Sequence, residues 1–168
     1  MRRIGFTLIE LLIVIAIIAL LATLGIIAYG SARAKARDAV RLGDVAQFRK
    51  ALNLYFHSED QYPPLVDDGE LGNPPSGSGC LNENGWQLVT PCPPELYLGF
   101  IPRDSGNTPS NPAHNRPCRD YALPCNYSYT WVGAERYEIH FRLEIGGGNL
   151  DAGLFCATEG GVGEACVH

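Results

Sequence analysis

The chain opens on one long apolar run. From Phe6 to Tyr29 the residues are overwhelmingly Leu, Ile, Val and Ala, and Glu10 is the lone charged side chain between Ile4 and Ala32. As a helix, the 24 residues of this run reach ~36 Å, enough to span a ~30 Å hydrocarbon core with some tilt. Beyond Gly30 the pattern becomes amphipathic. Val45, Phe48, Leu52 and Tyr55 recur at helical spacing, and Leu42, Ala51 and Phe56 widen the stripe. With Ala32, Ala34, Ala36, Ala39, Ala46 and Ala51 as strong helix formers, the helix is predicted to continue to about Ser58. Arg33, Arg37, Arg41 and Asp44 are expected outside the stripe, and Tyr62-Pro63-Pro64 is expected to end the helix, because a residue before proline avoids the α region.

The later chain reads differently. Val66 to Pro94 is expected to be an irregular loop, and Glu95 to Ile101 a short helix or turn. Tyr127, Tyr129 and Trp131 then alternate with Ser128, Thr130 and Val132. After Gly133-Ala134-Glu135, Tyr137, Ile139, Phe141 and Leu143 alternate with Glu138, His140, Arg142 and Glu144. Period-two patterning on both sides of a short connection predicts a β-hairpin, with its apolar face on the Val45–Tyr55 stripe. A third strand is expected over Gly153 to Ala157, after Gly146-Gly147-Gly148. The fold class is therefore α+β, a long N-terminal helix packed on a small antiparallel sheet with disulfide-rich loops.

A length of 168 residues allows one modest globular domain besides the N-terminal segment, and the 12 Pro and 19 Gly crowd its later part. Gly30 to Lys50 holds six Lys/Arg against two Asp, whereas Ala51 to His168 holds 15 acids against five Arg. An acidic head argues against a direct nucleic-acid site. Cys80, Cys92, Cys118, Cys125, Cys156 and Cys166 allow 15 connectivities, and neighbours in sequence suggest Cys80–Cys92, Cys118–Cys125 and Cys156–Cys166. A zinc site competes with disulfides, but no C-x-x-C pair exists and the spacings are irregular. His57, His114, His140 and His168 are far apart, with His140 on the polar face of its strand. With no Gly-rich phosphate loop and no nucleophile setting, no catalytic residue and no cofactor is expected.

Glu10 gives the N-terminus its chemistry. Met1-Arg2-Arg3-Ile4-Gly5 is a short basic leader, and a cut between Gly5 and Phe6 creates an α-amine four residues from Glu10. That amine, with a pKa of about 8, is mostly protonated at neutral pH, so it offers the carboxylate a cation in its own chain or in a neighbouring copy. An ordinary secretory signal, cleaved at Ala32-Arg33-Ala34, fits poorly, since such apolar regions run about 7–15 residues. A plain single-pass anchor leaves the Gly5-Phe6 junction unexplained.

The Arg-Arg-x-Gly-Phe-Thr-Leu-Ile-Glu run, with about twenty apolar residues after it, resembles the start of type IV pilins and type II secretion pseudopilins, the class III prepilin signal. The resemblance implies cleavage after Gly5 by a prepilin peptidase, N-methylation of Phe6, and Glu10 as the residue guiding assembly. It divides the chain into a leader (1–5), a transmembrane and filament-core half-helix (6–29) and an extracytoplasmic pilin-like head (30–168). It implies a homopolymer through the N-terminal helices, an assembly ATPase, a membrane platform protein and inner-membrane lipid as partners. The N-terminus is expected in the cytoplasm and the head outside, in a cell-surface or periplasmic filament once assembled. Pro102-Arg103-Asp104 looks like the Pro-x-Asp-Pro element of major pseudopilins, with Ser105 in place of the second proline, while Ile27 stands where many pilins carry proline. Major pseudopilins commonly bind calcium in a late loop, where this chain has Asn149, Asp151, Glu159 and Glu164. Asp67, Asp68 and Glu70 form a second acidic loop. Neither matches an EF-hand, and no calcium requirement is expected. The alternative function is a membrane-anchored binding module that does not polymerise.

Overall fold

The computed structural model describes residues 7–65, 69–71, 77–87, 96–104, 106, 118, 125–163 and 166. One helix, α1 (Leu8–Glu59), runs 52 residues without interruption through the apolar run and into the head. Thr7 caps its start in an extended conformation, with φ −81° and ψ 152°. Its end comes before the prolines. Asp60 adopts the left-handed conformation, φ 54° and ψ 18°, and its N–H reaches back to the Phe56 carbonyl at 2.9 Å. Aspartate is one of the few non-glycine residues that enters this region readily, so the stop is local and precedes Tyr62-Pro63-Pro64.

A six-stranded sheet faces α1. Its strands are β1 (Gly69–Leu71), β2 (Gly77–Ser78), β6 (Ser128–Gly133), β7 (Arg136–Leu143), β8 (Gly153–Thr158) and β9 (Gly161–Gly163), in the order β2-β1-β6-β7-β8-β9. Only β1 and β2 run parallel. β6 and β7 form the expected hairpin about Ala134-Glu135, with Tyr129 opposite Ile139, and a register shift between Trp131 and Gly133. That irregularity lies where Trp131 leaves the alternation and stands 38 % exposed. The third expected strand is present as β8, and β9 returns alongside it.

A smaller three-stranded sheet, ordered β4-β3-β5, comes from β3 (Cys80–Asn82), β4 (Gly85–Gln87) and β5 (Leu96–Leu98). It corrects two expectations. The region from Val66 to Pro94 holds four short strands among its described residues, and the residues around Leu96 form a strand, neither helix nor turn. The physical reason is pairing. The Asn82 side chain accepts from the Asn84 N–H at 2.9 Å, and Gly85 takes a φ of +86°, so the chain reverses and β3 acquires a neighbour on each edge.

The core lies between the two layers. Val45, Phe48, Ala51, Leu52 and Tyr55 of α1 are buried against Tyr137, Ile139, Phe141 and Leu143 of β7 and the neighbouring Tyr127 and Tyr129. Its aromatic rings meet edge to face: Phe48 on Tyr127 at 5.4 Å, Trp86 on Tyr129 at 5.2 Å, Tyr62 on Tyr137 at 4.6 Å. Behind the helix end, the Tyr62 N–H donates to the Ala134 carbonyl at 2.7 Å, tying the exit of α1 to the hairpin turn. Phe48→Ala should destabilise the head by about 3–5 kcal/mol in urea unfolding of the detergent-solubilised chain, whereas Val40→Ala, on the exposed side, should change it by less than about 0.5 kcal/mol.

Candidate functional site

The N-terminal half of α1 has no cover from the described residues. Thirteen large apolar side chains between Leu8 and Ile26 are exposed, from Leu8 at 81 % to Val14 at 44 %. Leaving them in water costs on the order of 20–40 kcal/mol at about 1.5–3 kcal/mol per side chain. A whole domain is stable by only about 5–15 kcal/mol, so this surface has to be covered by lipid or by other helices. The helix is long and apolar enough to cross a membrane, with a mean hydropathy of 3.1 in its most apolar window. Its one polar side chain between Leu11 and Tyr29 is Thr23, whose hydroxyl donates to the Leu20 carbonyl at 2.8 Å. The span thus carries its own hydrogen bonds.

Glu10 sits at the entrance of this surface in a reciprocal cap. The Thr7 N–H and hydroxyl both donate to Glu10 Oε2, at 2.8 and 2.6 Å, while the Glu10 N–H meets Thr7 Oγ1 at 3.4 Å. This is the capping box, which satisfies N-terminal donors and places a carboxylate at the positive end of the helix dipole. Among the described residues, Glu10 Oε1 receives no hydrogen bond. The Thr7-Leu8-Ile9-Glu10 spacing carries this signal in the sequence. Gly5 and Phe6, the expected cleavage and methylation positions, lie outside the described residues.

Where α1 enters the head, a cluster of charges holds it. Arg37, Arg41 and Asp44 were expected outside the buried stripe, yet Arg41 and Asp38 are fully buried and Asp44 nearly so. The reason is periodicity. The 3-and-4 spacing of Tyr55, Leu52, Phe48 and Val45 continues through Arg41, Asp38 and Ala34, so these residues face the sheet whatever their chemistry. The Arg41 guanidinium grips Asp104 with two nitrogens, at 2.5 and 2.9 Å, and reaches Asp38 at 2.7 Å and Glu144 at 2.8 Å. Asp38 accepts from the N–H groups of Glu144, Ile145 and Gly146 at 2.9 to 3.1 Å, which locks the turn after β7 onto the helix. Arg37 binds both oxygens of Glu144 from outside. Asp104, from the Pro102-Arg103-Asp104 element, thereby joins helix and loop. Its Oδ1 also accepts the Gly106 N–H at 2.8 Å, and a Cβ at Gly106 would stand 2.7 Å from the guanidinium.

Each titration follows from this geometry. The Arg37 guanidinium, helped by Arg41 and opposed by partial burial, holds the Glu144 carboxyl down to about 2. Burial pushes Asp38 up, but the three backbone N–H groups and Arg41 outweigh it and leave the carboxyl below its ordinary value. Asp44 moves the other way: burial raises it, the Tyr127 hydroxyl at 2.8 Å lowers it less, and the Asp104 charge adds to the rise.

The remaining sequence candidates separate. Cys118 pairs with Cys125 and Cys156 with Cys166, and Cys80 is disulfide-bonded too, while Cys92 lies outside the described residues. His140 lies on the polar face of its strand, as expected, but the structure buries it together with Glu138. That face of the sheet is covered as well, so alternation did not mean exposure. Asn149 and Asp151 are exposed on the turn before β8, whereas Glu159 stands beside Arg136 at 3.7 Å, and these residues form no ligand cluster among the described residues. Asp67, Asp68, Glu164, His114 and His168 lie outside the described residues.

Residues 1–26 match the family model described as the prokaryotic N-terminal methylation motif. No curated protein and no solved structure matches the chain. The N-terminus therefore carries the class III prepilin signal of type IV pilins and pseudopilins, and it is joined to an α+β head of pilin-like arrangement.

Two outcomes test the charged cluster. Arg41→Ala strands buried carboxylates and should cost about 3–5 kcal/mol in urea unfolding, with Asp104→Asn less damaging than Arg41→Ala. For Glu144, a folded pKa of about 2 against about 4.3 unfolded means its contribution is present above pH ~4.5 and is lost as pH falls toward 2. Glu144→Gln should flatten the fall of the urea midpoint across that window and leave the slope above pH 5 unchanged.

Proposed function

We propose that the protein is a prepilin-type structural subunit of a type IV pilus or a type II secretion pseudopilus. The chain inserts with its N-terminus in the cytoplasm, loses Met1–Gly5 to a prepilin peptidase, is methylated on Phe6, and polymerises by packing its apolar helices into a filament core. The protein is then the substrate of a processing enzyme, with no catalytic role of its own. The observation that carries this reading is a carboxylate at the head of an apolar helix whose large side chains the described residues leave exposed.

Within a low-dielectric helix bundle, Glu10 Oε1 accepts the Phe6 amine of a neighbouring copy while Oε2 keeps its Thr7 contacts. The pairing offsets the insertion cost of the carboxylate, about 2.5–3.5 kcal/mol on translocon scales, and sets axial register between copies. The heads lie outside the core, oriented by the Arg41 cluster, and an assembly ATPase and a membrane platform protein supply the extraction work.

Glu10→Ala tests the proposal in cells expressing the native assembly machinery. The variant should insert and be processed like the parent, yet sheared or sedimented filament should fall by at least about tenfold. Undiminished filament would contradict an assembly role for Glu10. Complete processing with no filament from either parent or variant would favour a membrane-anchored binding module.

A further inference from the structure

The covered polar face of β7 carries a cluster that assembly does not use. Glu138 and His140 stand two residues apart on it, and His140 lies directly opposite Cys156 of β8. Cys156 is bonded to Cys166. One ring nitrogen of His140 and the two sulfurs all lie within 4.8 Å of one another, and the Glu138 carboxylate is 3.3 Å from His140 Nε2. Among the described residues no other set of three metal-ligating side chains converges in this way. An open cleft is lined by Cys156, Thr158, Gly161 and Val162, and Cys166 is only partly buried.

We propose that His140, Cys156 and Cys166 form a binding site for a thiophilic divalent cation of the zinc type, available only while the Cys156–Cys166 bond is open. Two thiolates and an imidazole are a borderline-soft donor set, and three protein ligands leave the fourth tetrahedral position for water. Glu138 is the carboxylate that orients the imidazole, the usual outer partner of a metal-bound histidine. The irregular spacing in sequence hides this set, because β7, β8 and the chain after β9 bring it together only in three dimensions.

The redox step balances. Every chain is made with Cys156 and Cys166 as thiols, and cation binding releases their two protons. Closing the bond by thiol–disulfide exchange passes two electrons from the two thiolates to a disulfide oxidant, which takes two protons from water and leaves as a dithiol. The cation loses both anionic ligands and departs. A dithiol reductant reverses the exchange and becomes a disulfide itself. Cation and disulfide are thus mutually exclusive occupants, independent of filament assembly.

Full-length protein in detergent, reduced with a phosphine and titrated with Co²⁺ as the probe, tests the site. One Co²⁺ per chain should bind with a thiolate-to-metal charge-transfer band, and the oxidised protein should show none. His140→Ala should abolish the band, Glu138→Gln should weaken binding about 10- to 100-fold, and the Cys118→Ser/Cys125→Ser double variant should retain it. A second measurement uses the parent chain alone. Under oxidised glutathione with excess Zn²⁺, mass mapping should show Cys156–Cys166 closing at least about tenfold more slowly than without Zn²⁺, with Cys118–Cys125 unaffected. An unchanged band in His140→Ala, no band in the reduced parent, or equal slowing of both pairs would overturn the site.

Discussion

One unbroken helix serves two environments, and the rest of the structure follows from that constraint. Its first half is apolar all round and uncovered by the described residues, its second half is amphipathic and buried on one face, and no break separates them. Gly30 stands near the junction, but none of the described residues of the head comes within 4 Å of a Cβ placed there. A glycine in a helix costs about 1 kcal/mol against alanine, too little to divide a helix of this length. Whatever holds the apolar half therefore also fixes where the head stands.

The Arg41 cluster makes that transmission rigid. Burying a guanidinium among Asp38, Asp104 and Glu144 is weak evidence for stability in itself, since desolvation consumes most of the attraction. Its contribution is orientation. Bidentate contact to Asp104 and a carboxylate collecting three backbone N–H groups fix helix, loop and sheet in one geometry, where apolar packing alone tolerates sliding. The cluster lies at the first turns of α1 that enter the head, where a lever arm has to be held most firmly.

Much of this was legible in the sequence, for physical reasons that differ by element. The helix and the Tyr127–Leu143 hairpin declare themselves because enough positions repeat to establish a period. β1 to β4 are two or three residues long, and a period cannot be read from so few. Arg41 and Asp44 lie on the buried face, where residue type taken in place of phase makes buried charge look like surface. At His140 the alternation gives the face of the strand but not its burial, because the polar side of this sheet is covered too. Glu10 was recognised as anomalous and given one partner, the amine made by processing. The capping contact shows that the carboxylate also has a partner in Thr7 of its own chain.

The account rests on the cut that creates a cation within reach of Glu10. Mass spectrometry and N-terminal sequencing of the mature protein purified from membranes read it directly. The account predicts a chain beginning at N-methylated Phe6; a chain beginning at Met1 or Lys35 would contradict it, the first by leaving the partner amine unmade and the second by removing Glu10 itself.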